Sequence, residues 1–112
     1  MKIAFIVLCH KNPSQINFLI ESLTGNNTDF YIHIDKKSEF EQEIKKADNI
    51  KILDDSKRVD IKWGQSSMVE ATFNAIETIM DSKKKYDYVW LISGQDFPIK
   101  SRDYIIEYLE RN

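Results

Sequence analysis

The sequence predicts an α/β fold, a Rossmann-like three-layer αβα arrangement with a mainly parallel sheet in the order 3-2-1-4. Apolar runs of strand length alternate with segments whose apolar residues recur at helical spacing. The first run, residues 3–9, contains no charged residue and is typical of a strand covered on both faces. Right-handed strand–helix–strand crossovers then make neighbouring strands parallel.

The first strand–helix–strand unit covers residues 3–34. After the strand Ile3–Cys9, Asn12 and Pro13 supply a capping residue and a first-turn proline. Apolar residues then continue at helical spacing until Thr24. The β-branched and aromatic run Phe30–Ile34 predicts a second strand, which ends at Asp35.

The middle of the chain predicts a second helix, a short strand and a loop. Ser38 is a helix-capping residue type, and the apolar residues after it follow helical spacing. Residues 50–53 predict a third strand, whereas residues 54–62 are polar and predict a loop or a short edge strand. The inward face of this second helix comprises Phe40, Ile44 and Ala47.

The last third of the chain predicts a long helix, a fourth strand and a final helix. The long helix begins at Ser66 or Ser67 and ends near the lysines at 83–85. Tyr88–Ile92 is the fourth strand, and a last helix starts at Ser101. The apolar stripe of the long helix comprises Val69, Thr72, Phe73, Ile76, Ile79 and Met80.

Composition narrows the possible functions. The 112 residues form one predicted domain, 1–112, and a net charge of −2 excludes a broad basic surface for nucleic acid. The lone Cys9 lies in the first strand, so it is a buried free cysteine or, as the alternative, a catalytic thiol. One unpaired cysteine and no cleavable leader predict a cytoplasmic protein without a transmembrane segment. Glycine-rich phosphate loops, zinc-type cysteine clusters and Asp-x-Asp near strand 4 do not occur.

Polar residues follow the predicted strands at one edge of the sheet. Four segments, Cys9–Lys11, His33–Lys36, Lys62–Gly64 and Ser93–Asp96, lie at or beyond the carboxyl end of the element before them. In a doubly wound sheet, ligands bind in the crevice at that edge, where the strand order reverses beside strand 1. The sequence therefore predicts a binding site between strands 1 and 4.

Each candidate residue has a functional and a structural interpretation. Asp35 is placed to accept hydrogen bonds from ribose hydroxyls or a base N–H, or else it is a turn residue. His10 is placed to donate to a phosphate or orient a neighbour, or else to make an ordinary edge hydrogen bond. Trp63 offers a stacking surface or covers the sheet edge, and Ser93–Asp96 presents a carboxylate or forms a plain turn. His33 is predicted to be a packed histidine of the sheet.

Four segments together resemble one known family. They are "KIAFIVLCHKNPSQINFLIESL", "FYIHIDKKS", "IKWGQSSMVEATFNAI" and "YDYVWLISGQDFPIKS", in this order. The combination of HID, WG before a helix, and a pattern similar to LSGxDxPI resembles the amino-terminal half of glycosyltransferase family 14. This family contains the core-2/I-branching β-1,6-N-acetylglucosaminyltransferases and the peptide O-xylosyltransferases.

The resemblance implies the nucleotide-binding half of a GT-A type fold. It implies a UDP-sugar donor as co-substrate, an inverting displacement, and no metal or other cofactor. The catalytic residue is unknown, because the family's glutamate base and diphosphate-binding cations are expected beyond Asn112. The substrate-binding residues implied by position are Leu8, His10, Asp35, Ile61, Lys62, Trp63, Ser93, Gly94 and Asp96.

Two functions are therefore compared. The first is the UDP-binding half of a bacterial UDP-sugar-dependent glycosyltransferase, truncated at its carboxyl end, inactive as this fragment, and transferring N-acetylglucosamine or xylose to a glycan or other hydroxyl acceptor. The alternative is a non-catalytic α/β nucleotide-binding or interaction module of the same ancestry. The expected partners are the donor and the acceptor, with no nucleic acid. Peripheral association with the inner face of the membrane and self-association of the fragment are left open by the sequence.

Overall fold

A parallel four-stranded sheet with a helix on each face forms the centre of the molecule. The computed structural model describes residues 2–62 and 66–93. The strand order β3-β2-β1-β4 confirms the predicted order 3-2-1-4, and all three strand pairs are parallel. The elements are β1 (Ile3–Cys9), α1 (Pro13–Leu23), β2 (Thr28–Ile34), β3 (Ile50–Ile52), α2 (Ser66–Asp81) and β4 (Tyr88–Ser93).

The central strand β1 is buried along its whole length, as its apolar sequence predicts. Because side chains alternate across a strand, Phe5 and Val7 pack on the α1 side, and Ile6 and Leu8 pack on the α2 side. Helix α1 contributes a stripe at helical spacing to the first core. The stripe comprises Ile16, Leu19, Ile20 and Leu23. Two apolar layers therefore cover the sheet, which confirms the three-layer arrangement.

The prediction of a second helix after Ser38 is wrong. Only a single 3-10 turn, Glu41–Glu43, forms after Ser38, and Ala47 is exposed. Phe40 and Ile44 are nevertheless buried in the core on the α1 side, as their spacing suggested. The side chain of Asn17 accounts for the lost helix, because it donates to the carbonyl of Glu43 (2.8 Å) and accepts from the N–H of Lys45 (2.8 Å). These bonds hold the segment against α1 in a non-helical path.

Helix α2 forms where it was predicted, but Ile79 is the one member of its predicted apolar stripe that is buried against the sheet. Ala71, Ala75 and Ile79 are buried, whereas Phe73 is 64% and Met80 70% exposed. Small residues at positions i and i+4 let the helix axis approach the strands closely, which the bulkier Phe73 and Met80 would prevent. The remaining members of the predicted stripe are half-buried or exposed: Val69, Thr72 and Ile76.

The predicted cap of α1 also differs from the structure. Asn12 stands at the N-cap position, but its backbone is left-handed (φ 56°) and its side chain makes no capping hydrogen bond. Asparagine tolerates this conformation better than most residues do. Pro13 begins the helix as predicted, because a first-turn proline has no N–H to leave unpaired.

The amino edge of the sheet is closed by a tyrosine network remote from the candidate site. The hydroxyls of Tyr31 and Tyr86 lie 2.8 Å apart, and Tyr86 also donates to the carboxylate of Asp29. Lys84 lies 3.6 Å from the same carboxylate. Burial, followed by the bond to Asp29, raises the pKa of Tyr86 far above its usual value. Tyr86 therefore stays neutral, and the network holds β2 against the segment before β4.

No helix within residues 2–62 and 66–93 has the length and apolarity needed to cross a lipid bilayer. The loop or edge strand predicted for residues 54–62 is a loop that contains one 3-10 turn, Asp55–Lys57. The final helix predicted from Ser101 lies outside the described residues.

Candidate functional site

The carboxyl ends of β1, β2 and β4 lie side by side, because the register aligns them. Leu8 pairs with His33 on β2 and with Ser93 on β4. Immediately beyond, the N–H of Asp35 donates to the carbonyl of Cys9 (2.8 Å), and the hydroxyl of Ser38 donates to the carbonyl of His10 (2.7 Å). These bonds tie the segments after β1 and β2 together at the edge where doubly wound sheets bind ligands.

The carboxylate of Asp35 is buried at this edge and is only 1% exposed. Its Oδ1 accepts the N–H of Lys37 (3.1 Å), and its Oδ2 lies 3.5 Å from Nζ of Lys37. The same ammonium donates to the carboxylate of Asp60 and to the carbonyl of Ile61 (3.3 Å). The bond to Asp60 is the main cause that raises the pKa of Lys37. One exposed cation therefore joins two predicted site residues, Asp35 and Ile61.

Arg58 holds the loop after β3 against the end of β2. Its guanidinium donates to the carbonyls of Ile34 (2.9 Å) and Ser38 (2.9 Å), and it lies 3.4 Å from that of Asp35. A further N–H contacts the carboxylate of Asp55 at 2.8 Å. The side chain of Arg58 is only 7% exposed. A planar guanidinium with several fixed donors suits such a cluster of carbonyls, which an ammonium could satisfy only in part.

Val59 continues this attachment by its backbone. Its N–H donates to Nε2 of His33 (2.9 Å), and its carbonyl accepts the N–H of Lys36 (3.1 Å). His33 is fully buried, which confirms the predicted packed histidine of the sheet. Burial is the main cause that lowers the pKa of His33. At neutral pH the imidazole is therefore uncharged and able to accept.

Ser67 fixes the other end of this loop. Its hydroxyl accepts the N–H of Lys62 (2.8 Å) and lies 3.1 Å from the carbonyl of the same residue. Ser67 was a predicted cap, yet α2 already begins at Ser66, so Ser67 acts within the first turn. Its side chain ties Lys62 to the helix.

The structure brings together four of the predicted binding residues in the described part: Leu8, His10, Asp35 and Ile61. The side chains of Leu8 and Ile61 are buried in the core on the α2 side, so any ligand contact there is made by the backbone. Lys62 is exposed. Ser93 ends β4 beside Leu8. Trp63, Gly64, Gly94 and Asp96 lie outside the described residues, and the binding roles of all these residues stay predictions.

An open cleft of about 430 Å³ lies beside the ends of β2 and β3. Its described lining carries charges of both signs and includes none of the predicted binding residues. The lining residues are Lys36, Ser38, Glu39, Glu41, Gln42, Asp55 and Arg58. Among the described lining residues, Arg58 already bonds to three carbonyls, so Lys36 is the cation left to face the cleft, and one lysine attracts a diphosphate only weakly.

Within residues 2–62 and 66–93, no three His, Cys, Asp or Glu side chains are grouped to hold a metal ion. The chemistry that the described edge offers is hydrogen-bond acceptance by the carboxylate of Asp35 and by backbone carbonyls. Such acceptors match the hydroxyls of a ribose or the N–H of a base.

We expect Cys9 to be unreactive in the folded chain. Burial raises the pKa of its thiol to about 12, and the thiol is 1% exposed and contacts the carbonyl of His33. Since the thiolate is the nucleophile, a disulfide reagent at pH 8 should label Cys9 only after denaturation. Rapid labelling of the native chain, measured by absorbance, would support the alternative of a reactive thiol.

Three residues that hold the 59–62 loop were not predicted from the sequence to do so. They are Arg58, Lys37 and Ser67, which bonds to Lys62 from the first turn of α2. Lys37 follows the HID motif and Arg58 stands in a polar stretch, where charged residues are usually solvated. The available signal was weak. Arg58 is the single arginine among residues 1–100, and arginine is the residue that buried carbonyl clusters favour.

Comparison with known proteins gives a consistent result along the whole chain. The family model described as Core-2/I-Branching enzyme matches residues 3–112. The chain is 27% identical to the xylosyltransferase oxt of Drosophila melanogaster, over 100% of the chain and 13% of the relative. It is 32% identical to the xylosyltransferase sqv-6 of Caenorhabditis briggsae, over 88% of the chain and 13% of the relative.

A second group of relatives carries a different transferase name. The chain is 25% identical to beta-1,3-galactosyl-O-glycosyl-glycoprotein beta-1,6-N-acetylglucosaminyltransferase 4 of Danio rerio, over 97% of the chain and 26% of the relative. The chain thus spans between 13% and 26% of the length of these curated relatives.

Proposed function

Because the chain belongs to the Core-2/I-branching enzyme family, we propose that it forms the donor-nucleotide-binding part of a UDP-sugar-dependent, inverting glycosyltransferase. Its relatives are named xylosyltransferases and β-1,6-N-acetylglucosaminyltransferases. The proposed sugar is accordingly xylose or N-acetylglucosamine, and the proposed acceptor is a hydroxyl group of a glycan or another molecule.

The observation that carries the proposal is the meeting of Asp35 and the 59–62 loop at the carboxyl edge of the sheet. Asp35 is fixed by the N–H of Lys37, and the carbonyl of Ile61 shares the ammonium of Lys37 with it. A uridine presents a base N–H and two ribose hydroxyls, all of which need acceptors. The carboxylate of Asp35 and backbone carbonyls supply acceptors, and a buried carboxylate makes stronger hydrogen bonds than a solvated one.

Lys37 adds a condition to this mode of binding. Its ammonium covers Asp35, so a ligand that bonds to the carboxylate must displace or rearrange it. Lys37 is itself 59% exposed and can move into solvent at small cost.

We assign no described residue as the base of the reaction. In the proposed inverting transfer, the acceptor oxygen forms a bond to the anomeric carbon while the bond from that carbon to UDP breaks. A carboxylate takes the acceptor's proton, and cations stabilise the departing diphosphate. We assign these two roles to chain beyond Asn112, as the resemblance implies.

Calorimetric titration of the chain with UDP, UDP-N-acetylglucosamine and UDP-xylose tests nucleotide binding, with ADP as the control nucleotide. We expect binding of the uridine nucleotides only. Asp35→Asn should weaken it at least about tenfold, because the charge-assisted hydrogen bonds to the ligand are lost. Absence of heat with all three uridine nucleotides would overturn the proposal for this chain.

The alternative function is a non-catalytic α/β nucleotide-binding or interaction module of the same ancestry, and one observation favours its second form, an interaction module that binds no nucleotide. Asp35 already has partners within the chain, as a purely structural carboxylate would. Lys37→Met separates the two candidates. In a nucleotide site it leaves UDP binding measurable, since Asp35 is uncovered, whereas in a structural module it changes only the midpoint of urea unfolding.

A further inference from the structure

Resting on the proposed function, we propose that His33 is a positioning residue for the donor nucleotide. Its neutral imidazole holds Val59, and thereby the 59–62 loop, against the end of β2. In this role His33 does not touch the ligand. It sets where the carbonyl of Ile61 stands relative to the carboxylate of Asp35.

The contact is a partly buried hydrogen bond of ordinary length. Nε2 of His33 accepts the N–H of Val59 at 2.9 Å, and the imidazole is fully buried. The carbonyl of Val59 accepts the N–H of Lys36 at 3.1 Å. The N–H of Val59 is therefore bonded to His33 on β2, and its carbonyl is bonded to Lys36, two residues beyond the end of β2. Loss of the acceptor would leave the N–H of Val59 unpaired in this partly buried position, which is more costly than at the surface.

The position of the proton on the imidazole of His33 explains why a histidine is needed here as an acceptor. Because Nε2 accepts, the neutral imidazole carries its proton on Nδ1. Nδ1 is buried and has no hydrogen-bond partner in the described part of the chain. A buried N–H without a partner is unfavourable, and an aliphatic side chain would fill the same space without it. The bond to Val59 is thus the polar interaction that histidine provides and an aliphatic residue cannot.

The position of Val59 gives this bond its effect on the candidate site. Arg58 anchors the loop on one side and Ser67 anchors Lys62 on the other. Val59 lies between these anchors, two residues before Ile61. Loss of the His33 bond leaves Val59 with one backbone hydrogen bond, from the N–H of Lys36, and the residues after it with the exposed ammonium of Lys37. We expect Ile61 to shift relative to Asp35 as a result.

The charges that face His33 come from both packed segments. Asp35 lies just beyond the end of β2, and Arg58 lies in the loop after β3. Asp35 raises the pKa of His33 and Arg58 lowers it, and both effects are smaller than that of burial. If His33 gains a proton, Nε2 becomes a donor and opposes the N–H of Val59. Protonation should therefore release the loop.

Two substitutions separate the acceptor role from packing. His33→Gln places an amide oxygen near the position of Nε2, and His33→Leu keeps apolar bulk without any acceptor. Tyr31→Phe is the matched control, because it lies on the same face of β2 and loses a hydroxyl bond at the opposite edge. All three variants are first compared with the parent chain by near-UV circular dichroism, which reports native packing.

The first readout needs no nucleotide. Amide hydrogen exchange, measured by NMR at pH 7.5, should be at least about tenfold faster at Val59 in His33→Leu than in the parent chain. His33→Gln should restore most of the protection, and Tyr31→Phe should leave the Val59 amide unchanged relative to global stability. Equal protection of Val59 in the parent chain and in His33→Leu would overturn the inference, whatever the nucleotide titrations show.

The second readout is affinity for UDP-N-acetylglucosamine. We expect dissociation constants about tenfold higher for His33→Leu and close to the parent value for His33→Gln. A parent chain that does not bind overturns the proposed function, while the exchange measurement still decides the role of His33. A parent chain that binds, with His33→Leu equally tight, overturns the inference alone.

A pH profile adds a signature that packing alone would not give. Folding lowers the pKa of His33 below its usual value of 6.5, so the native imidazole stays neutral and holds Val59 until the pH falls to that lowered pKa. The affinity of the parent chain for UDP-N-acetylglucosamine should therefore be unchanged near pH 6.5 and fall as the pH drops through the lowered pKa of His33, and it should fall less in His33→Gln. The diphosphate of this ligand is esterified at both ends, so it has no ionisation near pH 6 of the kind found in phosphate monoesters. His10 is present in both proteins and cancels in the comparison.

Discussion

Replacing Arg58 by methionine is expected to lower the free energy of unfolding by about 3 kcal/mol. Methionine retains much of the side-chain bulk but has no donor. The carbonyls of Ile34, Asp35 and Ser38 then lose the guanidinium that now contacts them. Two of these residues, Ile34 and Asp35, are buried, so water replaces the guanidinium poorly.

Urea unfolding followed by fluorescence measures this effect, and two variants calibrate it. Arg58→Lys retains the charge but cannot reach three carbonyls at once, so we expect about half the loss. Lys36→Met is a nearby change of an exposed cation, which should alter stability by less than about 0.5 kcal/mol. If Arg58→Met lowered the free energy of unfolding no more than Lys36→Met, the proposed role of Arg58 in holding the loop after β3 against the end of β2 would be wrong.

Arg58→Met should also weaken binding of uridine nucleotides at temperatures where the variant remains folded. The guanidinium fixes the backbone of Asp35 and the start of the 59–62 loop together. A small displacement of groups that contact a ligand is sufficient for a large loss of affinity. An unchanged dissociation constant in a folded Arg58→Met chain would show that the hydrogen bonds of Arg58 do not affect nucleotide binding at the candidate site.

Replacing Phe30 by alanine is expected to lower the free energy of unfolding by about 3–5 kcal/mol. The ring of Phe30 is fully buried and stacks on that of Phe5 with centroids 5.5 Å apart. Phe5 in turn stacks on Trp90 at 6.1 Å, so three neighbouring strands lose a shared aromatic layer. Domains of this size have total stabilities of about 5–15 kcal/mol, and much of the chain should unfold at 37 °C.

Phe73→Ala is the matched control, since it deletes the same ring from the exposed surface of α2. Its effect should stay within about 0.5 kcal/mol, because little burial is lost and alanine favours the helix. Thermal melts of both variants by circular dichroism make the comparison. Equal melting temperatures for Phe30→Ala and Phe73→Ala would contradict the core described here.

The sheet was predictable because its strands are buried on both faces. A continuous apolar run such as residues 3–9 fits only a central strand, and the handedness of crossovers then orders the others. The segment after Ser38 was not predictable. Helical spacing of Phe40 and Ile44 satisfies the core equally well along the non-helical path that Asn17 holds. The pattern of apolar residues within this segment carries no information about the hydrogen bonds that Asn17 of α1 makes to it.

The candidate site divides in the same way. Asp35 and His10 could be placed at one edge from the sequence, because they follow parallel strands. The inward face of α2 could not be predicted from the sequence. Whether Ala71 and Ala75 or the bulkier Phe73 and Met80 face the sheet depends on how closely the helix approaches the strands.

By itself, the sequence determined the order of the strands, the two buried layers and the edge where polar residues gather, because burial and chain handedness act through local pattern. Only the tertiary structure decided that Arg58, His33 and Ser67 attach the loop after β3 to that edge. Their bonds join residues from 5 to 26 positions apart along the chain. Two of the three, those of Arg58 and His33, span at least 24 positions, so their geometry depends on how the packed core places the two segments, which local sequence pattern does not specify.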